Sequence, residues 1–404
     1  MHGAHIKSVK DPGPLNPTGK LLLVKQFGLY AGLGLLAIAF GIAFATDNKA
    51  LFWQNYTIDV FYFLGFACFG VVLTAMHYAA NMTWSTTVRR ISEGFSSFLL
   101  IGGLMVFPLI FLGAEYVYDW AADHELHHHF DKAKQAFISK PGFAIVTVVF
   151  IGFMVFFANK LIHGISIKQD SNGDAGLSKK AIAWGVAFFM PFAYLFTLFV
   201  VELIMAVNSA WFSTMFGAYC FIGIFLSGFA LLAIFTSHAV ESGHLKEAVK
   251  SHHLKDLGTW QMGFSAFMMY IGFSQFMLIW YANLPAETAY FMARMSNGWE
   301  NIFLLLPTLK WVIPFIFLMP WKYRSNPKAF KVIGTCVLLG QWLDLYWMVM
   351  PGGTEGPAFN GLEVLMFLGF AMIFGWSVLN FYSKHSMLAH KDPKLITSVN
   401  GQHL

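Results

Sequence analysis

Three charged residues stand within long apolar runs of this sequence. Lys310 lies between two prolines, Pro307 and Pro314. Asp344 lies in the run GQWLDLYW, and Glu202 closes the run that ends near residue 204. Such side chains are costly in an apolar setting and normally mark a pathway or a site. We expect Lys310 to pair with Asp344, because a buried lysine needs a carboxylate or must lose its proton. These residue types suit proton transfer, and a purely structural buried pair is the alternative.

Further polar residues extend this candidate proton path. Gln341 precedes Asp344 by three residues, so the two share a helix face. The other candidates are carboxylates and histidines near the ends of apolar runs, namely Glu115, Glu363, His77 and His163. Glu363 also lies near a predicted helix start, as do Asp59 and Glu300. Acids are stabilised there by the helix dipole, so helix capping is the alternative for these three.

An amide and two aromatic residues near the end of the run 258–282 are suited to a quinone. Gln275 could donate a hydrogen bond to a quinone carbonyl, and Trp280 and Tyr281 could stack on the ring. Trp and Tyr at the end of a membrane span are equally what an interfacial aromatic belt predicts. Both interpretations stay open on the sequence alone.

Two histidine patterns raise the question of a metal. The segment HELHH, 124–128, matches the H-E-x-x-H zinc pattern, but its short loop offers no substrate cleft. His77, His163 and His238 lie at the ends of three apolar runs, and two of them could hold a haem, although interfacial histidines explain them more simply. The three cysteines are scattered and form neither C-x-x-C-H nor a cluster. We therefore expect no metal, no covalent cofactor and no haem or iron–sulfur ligands in this chain.

The elements that carry these residues are predicted to be ten membrane-spanning helices. The 404 residues are 57% hydrophobic and only 12% charged, whereas a soluble domain has about 25% charged residues. About 20 apolar residues cross a bilayer core. Ten runs reach that length, roughly 21–45, 59–80, 94–114, 142–163, 181–204, 215–237, 258–282, 299–319, 329–349 and 359–383.

This pattern predicts an all-α integral membrane fold with three parts. Residues 1–20 and 384–404 are polar tails around a ten-helix domain, 21–383. Two groups of four helices, about 59–204 and 215–349, are expected to form bundles, with the first and last helices peripheral to them. Prolines 108, 191, 307 and 314 are expected to kink their spans or free backbone groups.

Lysine and arginine predict the orientation of these spans. Most of the 26 Lys and Arg residues fall on the side shared by the two tails, so the positive-inside rule places both tails in the cytoplasm. The net charge of +5 is spread over short loops, so nucleic acid is not an expected partner. The lipid bilayer is the expected surroundings.

The stretch 252–288, HHLKDLGTWQMGFSAFMMYIGFSQFMLIWYANLPAET, resembles the signature of a known family. Its most specific parts are DLG, 256–258, and SQFMLIWYAN, 274–283. They are similar to the second of the two quinol-oxidoreductase-like membrane chains of bacterial alternative complex III. That chain is itself similar to the NrfD/polysulfide-reductase membrane anchors. The family pattern continues N-x-P-E-E, whereas this sequence has Ala286 in place of the first acid.

That resemblance implies a bacterial inner-membrane subunit of a quinol:cytochrome c oxidoreductase, with the two four-helix bundles typical of such anchors. The implied partners are a sister NrfD-like membrane subunit, an iron–sulfur subunit, multihaem and monohaem c-type cytochrome subunits, and a terminal oxidase as a further acceptor. The lipid-soluble cofactor implied is quinone or menaquinone. In the family the sister chain is the better-supported site of quinol oxidation, and the chain type that this sequence resembles is associated with proton conduction.

Two other functions remain open. An ion-coupled secondary transporter would have inverted repeats and helices broken at the membrane midplane. The proline-bearing run 299–319 suits this, but no internal repeat is evident. A structural scaffold would use its buried polar groups only to fix helix packing.

Overall fold

The structure is a computed structural model that describes residues 8–123, 125, 129–352 and 356–401. Within these residues it contains helices and one isolated antiparallel bridge, between Pro14 and Ser386, and no strand. Ten helices are long and apolar enough to cross a membrane, which confirms the predicted all-α, multi-pass integral membrane fold. They are α1 (Gly19–Ala45), α2 (Lys49–Ala79), α3 (Arg89–Val117), α4 (Lys140–Asn172), α5 (Ala175–Leu203), α6 (Phe216–Glu241), α7 (Ser251–Ala282), α8 (Trp299–Leu318), α9 (Pro327–Val349) and α10 (Leu362–Lys384).

The largest difference from the predicted spans is the start of α2. The helix begins at Lys49, ten residues before the predicted start at 59. Its first turns carry Gln54, Asn55 and Thr57, which lower the hydropathy of this segment. All three side chains are buried, because α2 runs through the centre of the protein and its most apolar window is entirely covered by other helices. A central helix can carry polar groups that lipid would not tolerate.

Eight of the helices form two sets of four, α2 to α5 and α6 to α9. In the first set α2 packs against α3 and α5, and α4 packs against α5. In the second set α6 packs against α7 and α9, and α8 completes it between α7 and α9. The sets meet where α2 contacts α6 and α9. Outside them, α1 packs mainly against α10, through close approaches at Gly28 and Gly32 where a side chain would collide with α10.

Three spans contain a π-helical turn. These turns are Leu109–Gly113 in α3, Asn159–Ile167 in α4 and Thr308–Val312 in α8. The first and third directly follow Pro108 and Pro307, which lack the N–H that a regular α-helix would bond. Pro191 lies inside α5, which continues through it. Because π-helical turns are frequent at functional sites, the surroundings of the turn in α8 are a candidate functional site.

Both ends of the chain fold onto the same end of the helical domain. The Leu15 N–H donates to the Tyr382 carbonyl at 2.8 Å, and the Ser386 hydroxyl donates to Asp11 Oδ1 at 2.6 Å. The Lys394 ammonium donates to Asn81 Oδ1, in the α2–α3 loop, at 2.5 Å. We call this end, with its four loops, the terminal side and the other end the opposite side. That the terminal side is cytoplasmic stays a prediction from the charge pattern.

Candidate functional site

Three polar side chains meet inside the second set of helices. The Lys310 ammonium lies 2.6 Å from Asp344 Oδ2, and the Tyr219 hydroxyl donates to Asp344 Oδ1 at 2.7 Å. Lys310 is 3% exposed and Asp344 is fully buried. The predicted pairing of Lys310 with Asp344 is confirmed. Tyr219, which the sequence analysis did not single out, supplies the second donor to the carboxylate.

Local sequence explains how Lys310 reaches its partner. Lys310 lies in the π-helical turn that follows Pro307, so the helix is locally widened where the lysine leaves it. On the facing helix stands Gly340, and a side chain there would approach Lys310 Cγ to 2.8 Å and Leu309 Cβ to 2.9 Å. Only glycine therefore leaves room for the lysine to run along α9 to Asp344, one turn further on.

The geometry of this cluster favours an ion pair between the Lys310 ammonium and the Asp344 carboxylate. Moving a carboxylate and an ammonium out of water is expensive, and their mutual attraction offsets that cost only with close geometry and further hydrogen bonds. Both conditions hold here, since Tyr219 donates to the second carboxylate oxygen. The tyrosine ring also lies 5.6 Å from the Lys310 ammonium. A proton that reaches Asp344 would break this balance, because Lys310 would then lose its counter-charge.

The cluster forms one wall of an apolar cavity of about 120 Å³. Tyr219, Gln275 and Lys310 contribute polar groups, and most of the remaining lining is aromatic, as at Phe276 and Phe303. The lining residues come from α6, α7, α8, α9 and the short helix Pro285–Ala293. Such a cavity, apolar with a few convergent polar groups, is the usual form of a small-molecule site.

The predicted quinone residues are not brought together. Gln275 is buried and lines the cavity. Trp280 and Tyr281 are 61% and 80% exposed and do not line it. On an α-helix, residues five and six positions after Gln275 lie about 140° and 240° around the axis from it. The two aromatic residues therefore face outward, as an interfacial belt would, and the aromatic wall of the cavity comes from other residues.

Arg294 lies next to the cavity, behind its lining residue Tyr290. It is buried, and its guanidinium donates to the carbonyls of Trp347 and Met348 at 3.2 and 2.7 Å, in the last turn of α9. It also stacks at 3.5 Å on Tyr290, which lines the cavity. Burial lowers the pKa of Arg294, and Tyr290 only partly offsets this. A cation at a helix C-terminus satisfies carbonyls that have no partner within the helix.

Of two other predicted path residues, Gln341 lies on the same helix interface as the cluster and Glu202 lies in the first set of helices. Gln341 packs against Gly223 of α6, as Asp344 packs against Tyr219, so the predicted shared face is confirmed. Its Oε1 has no hydrogen-bond partner among the described residues. Glu202 is fully buried in the first set of helices, beside Tyr118, and neither of its oxygens has a partner in the described part of the chain. Glu202 is therefore not part of the Lys310–Asp344 cluster.

The remaining predicted path residues lie at the ends of the helical domain. Glu115 is on the surface and accepts a hydrogen bond from Lys140 at 2.8 Å. His77 is buried, with Nδ1 2.7 Å from the Ser85 hydroxyl. His163 is exposed. The structure thus joins Lys310, Asp344 and Gln341 along one helix interface and leaves these three residues apart from it.

Of the three acids predicted to cap helices, two lie at a helix start and one does not. Glu300 and Glu363 are in the first turns of α8 and α10, where they accept the backbone N–H of Gly298 and Asn360, respectively. Those two predictions are confirmed. The prediction is wrong for Asp59, because α2 begins ten residues earlier and places this carboxylate well inside the helix. Asp59 is fully buried there.

A second charged network, on the terminal side, was not predicted as a buried feature. Arg89 and Arg90 both bond Glu93, at 2.9 and 2.8 Å, and all three are buried. Arg89 also pairs with Asp392 at 3.2 Å, and Arg90 with Asp170 at 2.7 Å. The spacing R-R-x-x-E at the start of α3 could have suggested it, since residues three and four apart share a helix face. The network ties the C-terminal segment to α3 and α4.

The histidine patterns gain no support as metal sites. His77 is buried, whereas His163 and His238 are exposed, so they share no common environment for a haem. In the parts of the chain that the structure describes, no three His, Cys, Asp or Glu side chains converge as metal ligands. The HELHH motif lies largely outside those parts.

Comparison with protein-family models and with curated protein sequences finds no match to this chain. The defining geometry of the candidate site is a buried lysine–aspartate–tyrosine cluster, positioned by a π-helical turn and a glycine, at the wall of an aromatic cavity.

Proposed function

We propose that this chain is a proton-transferring membrane subunit of a quinol:electron-acceptor oxidoreductase of the alternative complex III type, in a bacterial inner membrane. The observation that carries the proposal is the buried Lys310–Asp344 pair with its Tyr219 donor. A passive anchor gains little from such a pair, since well-packed apolar residues in its place are often as stable. The resemblance of the stretch 252–288 supports the assignment to this kind of complex.

Asp344 is the proton-accepting group in this scheme. Oxidation of a quinol gives a quinone, two protons and two electrons, and the electrons pass to iron–sulfur and haem partner subunits. A proton taken up by Asp344 neutralises the carboxylate and breaks its attraction to Lys310, and release of that proton restores the pair. Moving one charge across the membrane costs about 2.3 kcal/mol per 100 mV, which the redox reaction of the complex supplies.

The same wall supports a second role, binding of the quinone ring. Gln275 can donate a hydrogen bond to a ring carbonyl, and the aromatic residues of the cavity can stack on the ring. Phe273 lines the cavity and is also 53% exposed on the outer surface of the helices, which gives a lipid-soluble molecule a way in from the side.

Labelling by a photoreactive quinone analogue tests this second role. The variant Gln275→Leu is expected to lose labelling of the cavity residues. The matched control Trp280→Leu changes an exposed residue on the outward face of the same helix and is expected to keep it. Equal labelling of both variants would contradict quinone binding in this cavity but not the proposed proton transfer.

The composition of the complex tests the assignment itself. Purification of the full-length chain from its native membrane is expected to bring along c-type cytochromes and an iron–sulfur protein. In that complex Asp344→Asn is expected to slow quinol oxidation, whereas Glu300→Gln, an acid at a helix start, is expected not to. A complex that assembles less well but turns over normally once assembled would identify a structural scaffold. Purification without redox partners would favour a transporter.

A further inference from the structure

Two more buried carboxyl groups lie near each other, away from the cluster already described. Asp59, on α2, and Glu363, on α10, are 0% and 1% exposed. Each has one oxygen with a donor: the Trp342 indole N–H donates to Asp59 Oδ1 at 2.9 Å, and the Asn360 N–H donates to Glu363 Oε2 at 3.1 Å. The second oxygens, Asp59 Oδ2 and Glu363 Oε1, have no hydrogen-bond partner among the described residues.

No cation among the described residues balances this pair. Neither carboxyl group makes an ion pair within that part of the chain. Trp342, the donor to Asp59, packs against Phe359 and Phe367, which lie four residues before and after Glu363. The other titratable groups that interact with them are the phenols of Tyr62 and Tyr346. Both phenols already donate to backbone carbonyls, of Leu338 and Ala358. Two ionised carboxylates would therefore stand unbalanced in one buried place, which is strongly unfavourable.

We propose that Asp59 and Glu363 share one proton and form a second proton site, on the far side of α9 from Lys310 and Asp344. The proton is bonded to one carboxyl oxygen at a time. Transfer breaks the O–H bond of one acid and forms that of the other, and the pair keeps one negative charge throughout. This site extends the proposed function, because it would be a second station for the transferred proton. The shared proton can nevertheless exist even if the proposed function is wrong.

The Asp59–Glu363 pair is placed to pass a proton between the Lys310–Asp344 cluster and the opposite side of the protein. Trp342, which binds Asp59, is two residues before Asp344 on α9, so one helix touches both sites. A groove of about 360 Å³ lies at the ends of α1, α2 and α10. It is lined by Asn48 and Asn360, and the N–H of Asn360 is the donor to Glu363. Glu363 is thus hydrogen-bonded to a residue that lines this groove.

A proton fits this site better than a metal ion. The described side chains offer only two free oxygens here, whereas hard cations such as Ca²⁺ take six to eight oxygen ligands. A shared proton also accounts for the pattern of one bonded and one free oxygen on each acid, since the free oxygens are where the proton resides.

Infrared spectroscopy of the full-length chain in lipid nanodiscs can count this proton. At neutral pH the C=O band of protonated carboxyl groups, identified by its shift in D₂O, is expected to lose the intensity of one group in the double variant Asp59→Asn/Glu363→Gln. Each single variant is expected to shift the band. The matched control Glu300→Gln changes the corresponding first-turn acid of α8 and is expected to leave the band as it is.

Loss of no intensity, or of two groups' intensity, would overturn the proposal, because the acids would then be both ionised or both neutral. Thermal stability in sodium chloride against choline chloride is a second readout. No difference is expected, and stabilisation specific to sodium that vanishes in the double variant would assign a cation instead. The infrared count needs no turnover. If it holds while Asp344→Asn leaves the complex unaffected, the second site stands and the proposed function fails.

Discussion

Breaking the Lys310–Asp344 pair should be the most costly single polar change in the second set of helices. In Asp344→Asn the Lys310 ammonium stays buried, and no other carboxylate among the described residues forms an ion pair with it. Removing one partner of a buried pair typically costs about 3–5 kcal/mol. We expect a loss of that order in the free energy of unfolding, measured by denaturant titration in mixed micelles with tryptophan fluorescence.

A double-mutant cycle separates the pair from its surroundings. Lys310→Met alone leaves Asp344 as an unbalanced carboxylate with Tyr219, so it should also be costly. The double variant Lys310→Met/Asp344→Asn removes both charges and should cost less than the sum of the two single variants, because it leaves no unpaired ion. Glu115→Gln, which breaks the exposed pair with Lys140, is the control and should cost at most about 1 kcal/mol. Additive losses no larger than the control would refute the reasoning.

Three further predictions concern the surroundings of the cluster and the tails. Tyr219→Phe removes one hydrogen bond to a charged group and should lower the free energy of unfolding by about 1.5–3 kcal/mol, measured in the same titration. Arg294→Met leaves the last carbonyls of α9 buried without a donor, and faster proteolysis of the loop 283–298 than in the original chain should report it. At Asp11 burial raises the pKa, but hydrogen bonds from Ser386 and Gly13 outweigh it and hold the pKa below its ordinary value. Its contribution to tail docking is therefore complete above about pH 4 and is lost as pH falls through the lowered pKa. Protease sensitivity of the tails should rise in acid, and the Asp11→Asn chain should be sensitive at every pH.

Hydropathy was sufficient to predict the ten helices but not the role of α2. Lipid-facing and buried helices look alike to a hydropathy window, since both are apolar. The polar residues at 54, 55 and 57 made the start of α2 look like a loop, although they are tolerated there because other helices surround them. Because the predicted helix began at residue 59, Asp59 was expected to cap it. In the structure Asp59 is a buried acid well inside α2.

The site was predictable only where one helix or one loop determines it. Lys310 and Asp344 could be paired because α8 and α9 are consecutive and a buried lysine needs an acid. Tyr219 and the aromatic cavity could not be predicted from the sequence, because they depend on how α6 and α7 pack against α8 and α9. Trp280 is a different case, since the helical period alone places it on another face of the helix than Gln275.

Proton counting in the assembled complex tests the central claim most directly. Reconstituted in liposomes, the complex would be driven with a soluble quinol, and protons released per electron would be measured with a pH dye on each side of the membrane. If the Lys310–Asp344 cluster carries protons, Asp344→Asn lowers both the number of protons released per electron and the turnover, while Glu300→Gln changes neither. An Asp344→Asn complex that keeps the full ratio and the full rate would contradict it.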